Sequence, residues 1–127
     1  QKQPIVAQSS CEAEFIAACK GANEVSFLRD LLGEWGHQQG TTRMYEDNTA
    51  AKQLAHNPGA LRDRSKHFEL RWFKLQELVK GAIVTLKYIG TKEQIADALT
   101  KNLNKALFLR LRDFLMGTTR FDHSRYD

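Results

Sequence analysis

A chain of 127 residues, 42% hydrophobic and 27% charged, has the length of one domain and too much apolar content to stay disordered. Its net charge of +4 and pI near 9.2 admit a polyanionic partner without establishing one. No apolar run reaches membrane length and Gln1-Lys2-Gln3-Pro4 carries no signal-peptide pattern, so a soluble intracellular protein, neither membrane-spanning nor secreted, is expected.

Residues 1–8 read as a leading loop, with Pro4 followed by Ile5-Val6-Ala7. A helix is expected to open at Ser9, because Ser9-x-x-Glu12 has the form of a capping box. Phe15, Ala18, Ala22, Val25, Leu28 and Leu32 then recur at helical spacing, and Gly33 to Gly36 mark the end. After a polar turn, Thr42 to Glu46 reads as a short strand with Asp47 at its C-terminal end.

Asn48 to His56 suggests a short helix, closed by Asn57-Pro58-Gly59. A longer helix is expected from Arg64 to Lys80, with Phe68, Trp72, Leu75 and Val79 on one face and Gly81 as its terminator. Ile83 to Ile89 alternates Val84, Leu86 and Tyr88 with Thr85 and Lys87, as a strand with two unlike faces does. Thr91-x-x-Gln94 has the form of a second capping box, at the start of a helix bearing Asp97. Leu103, Leu107, Leu111 and Phe114 mark a last amphipathic helix to about Met116, and 117–127 reads as a polar, frayed tail.

Helix, strand, helices, strand, helices is an α/β order, in which a helical crossover makes the two strands parallel. Two strands alone are a marginal sheet, so the pattern implies further strands on the N-terminal side, and a start without methionine suggests a piece of a longer protein. Cys11 and Cys19 lie eight positions apart on one predicted helix. That places them about 12 Å apart, too far for a disulfide. Buried thiols in a reducing compartment follow.

Glu14, Asp47 and Asp97 each lie where a helix begins or a strand ends, the places from which an α/β fold converges side chains on a ligand. Carboxylates suit a hard cation such as Mg²⁺, with Mn²⁺ as its substitute. Each acid also has a plainer reading: Glu14 as a helix-dipole partner, Asp47 as the cap of the helix at Asn48, Asp97 as a solvated first-turn acid. Arg62, Arg64, Lys66, Arg71 and Lys74 form a local basic excess that suits either a nucleic-acid backbone or a solvated helix face. His67 takes a structural role by default, and no helix-turn-helix spacing supports a small basic DNA-binding protein.

The run from Lys2 to Ala17, containing Ser9-Ser10-Cys11-Glu12-Ala13-Glu14-Phe15, resembles the first-helix motif of the ribonuclease H domain of copia-type retrotransposon polyproteins. Glu46-Asp47-Asn48-Thr49-Ala50-Ala51 is similar to that family's strand-end Asp-Asn motif. Ser65-Lys66-His67-Phe68 is similar to its Thr-Lys-His-Ile segment, and Ala96-Asp97-Ala98-Leu99-Thr100-Lys101 to its Ala-Asp-x-Leu-Thr-Lys motif. The similarity runs from residue 1 to about residue 116.

The resemblance implies a ribonuclease H-like fold that is incomplete here: the first three strands absent, two parallel strands and flanking helices retained in 9–116. It implies Glu14, Asp47 and Asp97 as catalytic Mg²⁺ ligands and favours Glu14 over Glu12. A fourth acid, on the first strand in an Asp-Ala-Asp-Trp-like motif, has no counterpart in the chain. The implied activity is two-metal hydrolysis of the RNA strand of RNA:DNA hybrids during reverse transcription, in the cytoplasm (in a virus-like particle) or nucleus. The partners would be the hybrid, recognised by its A-like shape and 2′-hydroxyls, and the reverse transcriptase part of the same polyprotein. Without the fourth acid the chain alone is expected to be inactive. The alternative is a catalytically dead retroelement remnant that at most binds nucleic acid.

Overall fold

The computed structural model describes residues 3–49, 51–52 and 66–127, with side chains at 11–49, 51–52 and 69–127. Helix α1 spans Gln3–Glu34, strand β1 Thr42–Glu46, helix α2 Lys66–Lys80 and strand β2 Val84–Tyr88. A 3₁₀ turn at Thr91–Glu93 leads into the short helix α3, Asp97–Thr100, then helix α4, Lys105–Leu115, and a 3₁₀ turn at His123–Tyr126. Thr49, Ala51 and Lys52 are helical, while the rest of the helix expected to His56, its Asn57-Pro58-Gly59 stop, Arg62 and Arg64 lie outside the described residues.

The two strands are parallel, in register from Thr42 opposite Val84 to Glu46 opposite Tyr88, as an α/β order with a helical crossover requires. Paired residues of a parallel ladder share a face, so Thr42, Met44 and Glu46 lie with Val84 and Leu86. That face meets the helices: Arg29 of α1 donates to Thr42 Oγ1 at 2.8 Å, and Met44 lies against Gly21. Helix α1 packs on α2 and β1, and α2 on β2. Phe15, Ala22, Trp72, Leu75, Val84 and Leu86 form the centre of the core.

The buried stripe of α1 ends earlier than its periodicity indicates. Leu28, expected inside, is 52% exposed, and Val25 is only partly buried against the core. A 32-residue helix is about 48 Å long, whereas five-residue strands reach about 17 Å, so the C-terminal third of α1 extends past the apolar core and meets the start of β1 through the polar contact of Arg29 with Thr42.

Helix starts are where local patterns mislead. The helix expected to open at Ser9 begins at Gln3, so residues 3–8 are helical and Ser9 is interior. Proline in a first turn lacks only an N–H that would have no partner there, and its fixed φ suits the helix. Nor does Thr91 cap a helix: Gly90 precedes the 3₁₀ turn without a side-chain cap, and Gln94 Nε2 donates instead to Tyr45 O at 3.1 Å.

Helix ends are better marked. His37 N–H donates to Leu32 O at 2.8 Å and Gly36 N–H to Gly33 O at 3.0 Å, a Schellman closure with Gly36 at φ 84°. The same closure ends α2, from Ile83 N–H to Leu78 O and Ala82 N–H to Val79 O, but its left-handed residue is Ala82, at φ 55°, and not Gly81.

Residues 117–127 pack back onto β1, contrary to the frayed tail expected from their polarity. Tyr45, on the face of β1 opposite α1, sits edge-on to Phe121 and Tyr126 and shares a 2.8 Å hydrogen bond with His123 Nδ1. Phe121 also meets Phe114 of α4, Tyr126 donates to Glu93, and Arg43 pairs with Asp127. Three rings among eleven residues, those of Phe121, His123 and Tyr126, are enough to pack against Tyr45 and hold the segment on the strand.

Candidate metal centre

Glu14 lies on α1 one position before Phe15, which is fully buried, so its half-buried side chain points along the edge of the helix's packed stripe. That edge crosses the C-terminal end of β1, where Glu46 is the last strand residue and Asp47 the next. Glu14, Glu46 and Asp47 each bring a carboxylate oxygen within 4.8 Å of the others. Asn48 holds the turn: its N–H donates to Glu46 Oε1 at 2.9 Å, and its Oδ1 accepts from Ala51 N–H at 3.1 Å. Asn48 therefore caps the helical residues Thr49, Ala51 and Lys52, which leaves the Asp47 carboxylate to face the cleft.

Asp97 reaches the same region by a different route. The Gln94 bond to the Tyr45 carbonyl ties the segment after β2 to the end of β1, and Asp97 opens α3 just beyond it with 5% of its surface exposed. Lys101 joins the two groups, its Nζ donating to Asp97 Oδ2 at 3.0 Å and to Asp47 Oδ2 at 3.4 Å. The hydrogen bond to Asp97, together with the Asp47 and Asp97 charges, raises the Lys101 pKa and keeps it an ammonium. Glu14, Asp47, Asn48, Thr49 and Lys101 line an open cleft of about 310 Å³. A larger cleft, about 500 Å³, runs from Thr41 and Ala82 along Arg43, Thr85 and Lys87, and none of the acids Glu14, Glu46, Asp47 or Asp97 lines it.

The structure thus brings together Glu14 and Asp47, two of the three acids singled out in the sequence, and links Asp97 to them through Lys101. It adds Glu46, which sequence reasoning passed over. The available signal was strand alternation: Thr42, Met44 and Glu46 share the face that packs on α1. Burial pushes the Glu46 pKa from 4.5 up to about 7; the Asn48 N–H opposes this, and the Glu14 and Asp47 charges add to it. Of the basic residues, Arg71 and Lys74 are exposed on α2 and line no part of this cleft, and the Arg62, Arg64 and Lys66 side chains lie outside the described residues.

The donor set fits a hard divalent cation. All three clustered groups are carboxylates, and ligands on opposite sides of one Mg²⁺ stand about 4.2 Å apart, so a 4.8 Å spread needs a contraction of roughly half an ångström. The described histidines and the two buried cysteines lie outside the cluster. The cysteines form no disulfide, and burial raises the Cys19 thiol to about 11, which keeps it protonated.

Among the described residues no helix is long and apolar enough to cross a membrane. No family model matches the chain, and no solved structure matches it significantly. Long proteins do, three of them from plant transposons. The chain is 32% identical over 109 residues, 85% of its length, to the retrovirus-related Pol polyprotein from transposon RE2 of Arabidopsis thaliana. It is 32% identical over 123 residues, 94% of its length, to that from transposon RE1 of the same plant, and 35% identical over 99 residues, 78% of its length, to that from transposon TNT 1-94 of Nicotiana tabacum. It spans 7%, 8% and 7% of these proteins respectively. The chain's homologues are therefore retrovirus-related Pol polyproteins from transposons, each many times its length.

Proposed function

We propose that the chain is the C-terminal part of a ribonuclease H-type domain of a retrotransposon Pol polyprotein, whose reaction is hydrolysis of the RNA strand of RNA:DNA hybrids. The observation that carries this reading is the meeting of Glu14 and Asp47, from distant parts of the chain, within 4.8 Å at the C-terminal end of a parallel strand. Asp97 stands one lysine away, and the three acids follow the order of the family's motifs.

In this reading Glu14, Asp47 and Asp97 hold Mg²⁺, or Mn²⁺ in its place. The bound ions would supply an activated water and charge stabilisation for the leaving 3′ oxygen. The chain's own residues place the carboxylates. Asn48 fixes the turn that presents Asp47, Phe15 anchors the helix that presents Glu14, and Gln94 ties down the segment that presents Asp97. Glu46, buried beside them, adds a further negative charge once it loses its proton, above about pH 7. The cleft beside Asn48 and Thr49 is open enough for a phosphodiester to approach. Contacts from Arg62, Arg64, Lys66, Arg71 and Lys74 to a hybrid backbone belong to this proposal, as does the RNA:DNA partner.

The test is cleavage of a labelled RNA:DNA hybrid in Mg²⁺, by the chain alone and by the chain extended N-terminally with the corresponding stretch of a transposon relative. Cleavage by the extended protein, lost on Asp47→Asn, is expected; the chain alone is expected to leave the hybrid intact. Equal cleavage by the Asp47→Asn protein removes the assignment. The second reading, a remnant that binds nucleic acid without cutting it, draws on the ammonium already lodged between Asp47 and Asp97. It predicts hybrid binding by the extended protein with no cleavage in either Mg²⁺ or Mn²⁺.

A further inference from the structure

Lys101 follows the last acid by one helical turn and closes α3, its N–H donating to Asp97 O at 2.9 Å. Its side chain turns back, so that one ammonium spans Asp97 Oδ2 at 3.0 Å and Asp47 Oδ2 at 3.4 Å. The exposures are unequal: the Asp97 and Asp47 side chains are 7% and 11% exposed, that of Lys101 44%. Two nearly dehydrated carboxylates from separate elements thus share one cation that enters from the wall of the cleft. Without it they would face each other, and Glu46 and Glu14 behind them, with no positive charge among the described residues lining the cleft.

A lysine ammonium is a compact, strongly hydrated point charge on a flexible stem. It satisfies carboxylate oxygens as a small hard cation does, but at hydrogen-bond length and with half the charge of Mg²⁺. A divalent ion bound at about 2.1 Å through Asp47 Oδ2 would compete for that oxygen with the ammonium, and at either oxygen it would repel the lysine charge beside it. The stem of Lys101 has an exit, because the cleft it lines is open to solvent. Withdrawal would exchange two hydrogen bonds for hydration of the ammonium.

We propose that Lys101 is a built-in counter-ion and positioning residue, whose ammonium holds Asp47 and Asp97 together before metal binds and competes with a divalent cation for their oxygens. This rests on the reading of the acids as a metal centre and adds a regulator of occupancy to it: the ion enters as Lys101 leaves. Reciprocity follows, since two ligands that exclude each other weaken each other equally.

The test is Mn²⁺ binding by the 127-residue chain, read as the loss of the free-Mn²⁺ electron paramagnetic signal. Wild type is compared with Lys101→Met, Lys101→Arg and Asp47→Asn, with thermal melting of each protein with and without Mn²⁺. Removing the charge while keeping the stem should tighten Mn²⁺ binding about tenfold, within the usual span of coupling between two sites. Lys101→Arg should stay near wild type. Without metal, Lys101→Met should melt lower, and Mn²⁺ should restore it by more than it raises wild type. A purely structural lysine would lower the melting temperature without any gain in affinity. If wild type binds Mn²⁺ and Asp47→Asn does not, while Lys101→Met binds no better than wild type, the counter-ion role is wrong and the metal centre survives. If neither wild type nor Lys101→Met binds, both are wrong. Binding by Lys101→Met alone supports the competition in its strongest form. Should Lys101→Met fail to fold, Lys101→Gln answers the same question.

Discussion

Replacing Glu46 by glutamine isolates what it costs to pack three carboxylates at the end of β1. The residue is 6% exposed, and its pKa is raised from 4.5 to about 7, by burial first and then by Glu14 and Asp47, against the Asn48 N–H. Below pH 4.5 the group is protonated in folded and unfolded chains alike, and it contributes no pH dependence. Between 4.5 and about 7 the folded chain keeps a proton that the unfolded chain has lost, so stability falls as pH rises; above about 7 the loss is complete. At about 1.4 kcal/mol per pKa unit, the whole window is worth about 3 kcal/mol.

Glutamine has the same shape, no charge, and an amide oxygen that can still accept from the Asn48 N–H. The Glu46→Gln protein should therefore be more stable than wild type by about 3 kcal/mol near pH 8, and by less than about 1 kcal/mol near pH 4.5. Urea unfolding followed by the fluorescence of Trp72, 4% exposed in the core, reads both. About 10 mM Mg²⁺ should narrow the difference at the higher pH, since metal takes the deprotonated carboxylate. Parallel stability curves for the two proteins from pH 4.5 to 8 would refute the reasoning, because they would mean that Glu46 titrates alike in both states.

Ala82→Gly should stabilise the chain. The alanine sits at φ 55°, where a left-handed residue costs about 1–2 kcal/mol, while glycine adds about 0.5–1 kcal/mol of unfolded-state entropy. A net gain of roughly 0.5–1 kcal/mol in urea unfolding is expected, and any loss contradicts the strain. Phe15→Ala, at a fully buried site, should cost about 3–5 kcal/mol, whereas Leu28→Ala should stay within about 0.5 kcal/mol. Equal costs would mean that the buried stripe of α1 continues past Val25. Phe121→Ala removes the ring shared by Tyr45, Phe114 and Tyr126 and should cost about 2 kcal/mol, with faster protease cutting within 117–127. Unchanged cutting would show that the segment is not held by its aromatic contacts.

Local chemistry was legible in the sequence wherever one segment carries its own explanation. The strand Thr42–Glu46 agrees with its expected bounds, and α2 ends at the expected Lys80. Glycine at a left-handed position identified the close of α1. The same reasoning failed at Ser9 and Thr91, because a capping box shows only that a helix could begin there. Proline earlier in the chain allowed an earlier start in one case, and in the other Gln94 found a partner across the fold. The 117–127 segment was misread because its average polarity concealed three rings whose partner, Tyr45, is far away in the chain.

Residue order and motif resemblance named Glu14, Asp47 and Asp97; Asp47 and Asp97 do stand at element ends, whereas Glu14, expected where a helix begins, lies inside α1 because that helix starts at Gln3. Only the tertiary structure decided their grouping. Glu46 joins the cluster because α1 crosses the end of β1, and Asp97 comes within a lysine's reach of Asp47 where the Gln94 bond to Tyr45 ties their segments together. Lys101 bridges them because its stem turns back into the cleft. Sequence encodes hydrogen bonding and periodicity over a few residues; distances between carboxylates from different elements are set by how whole helices and strands pack.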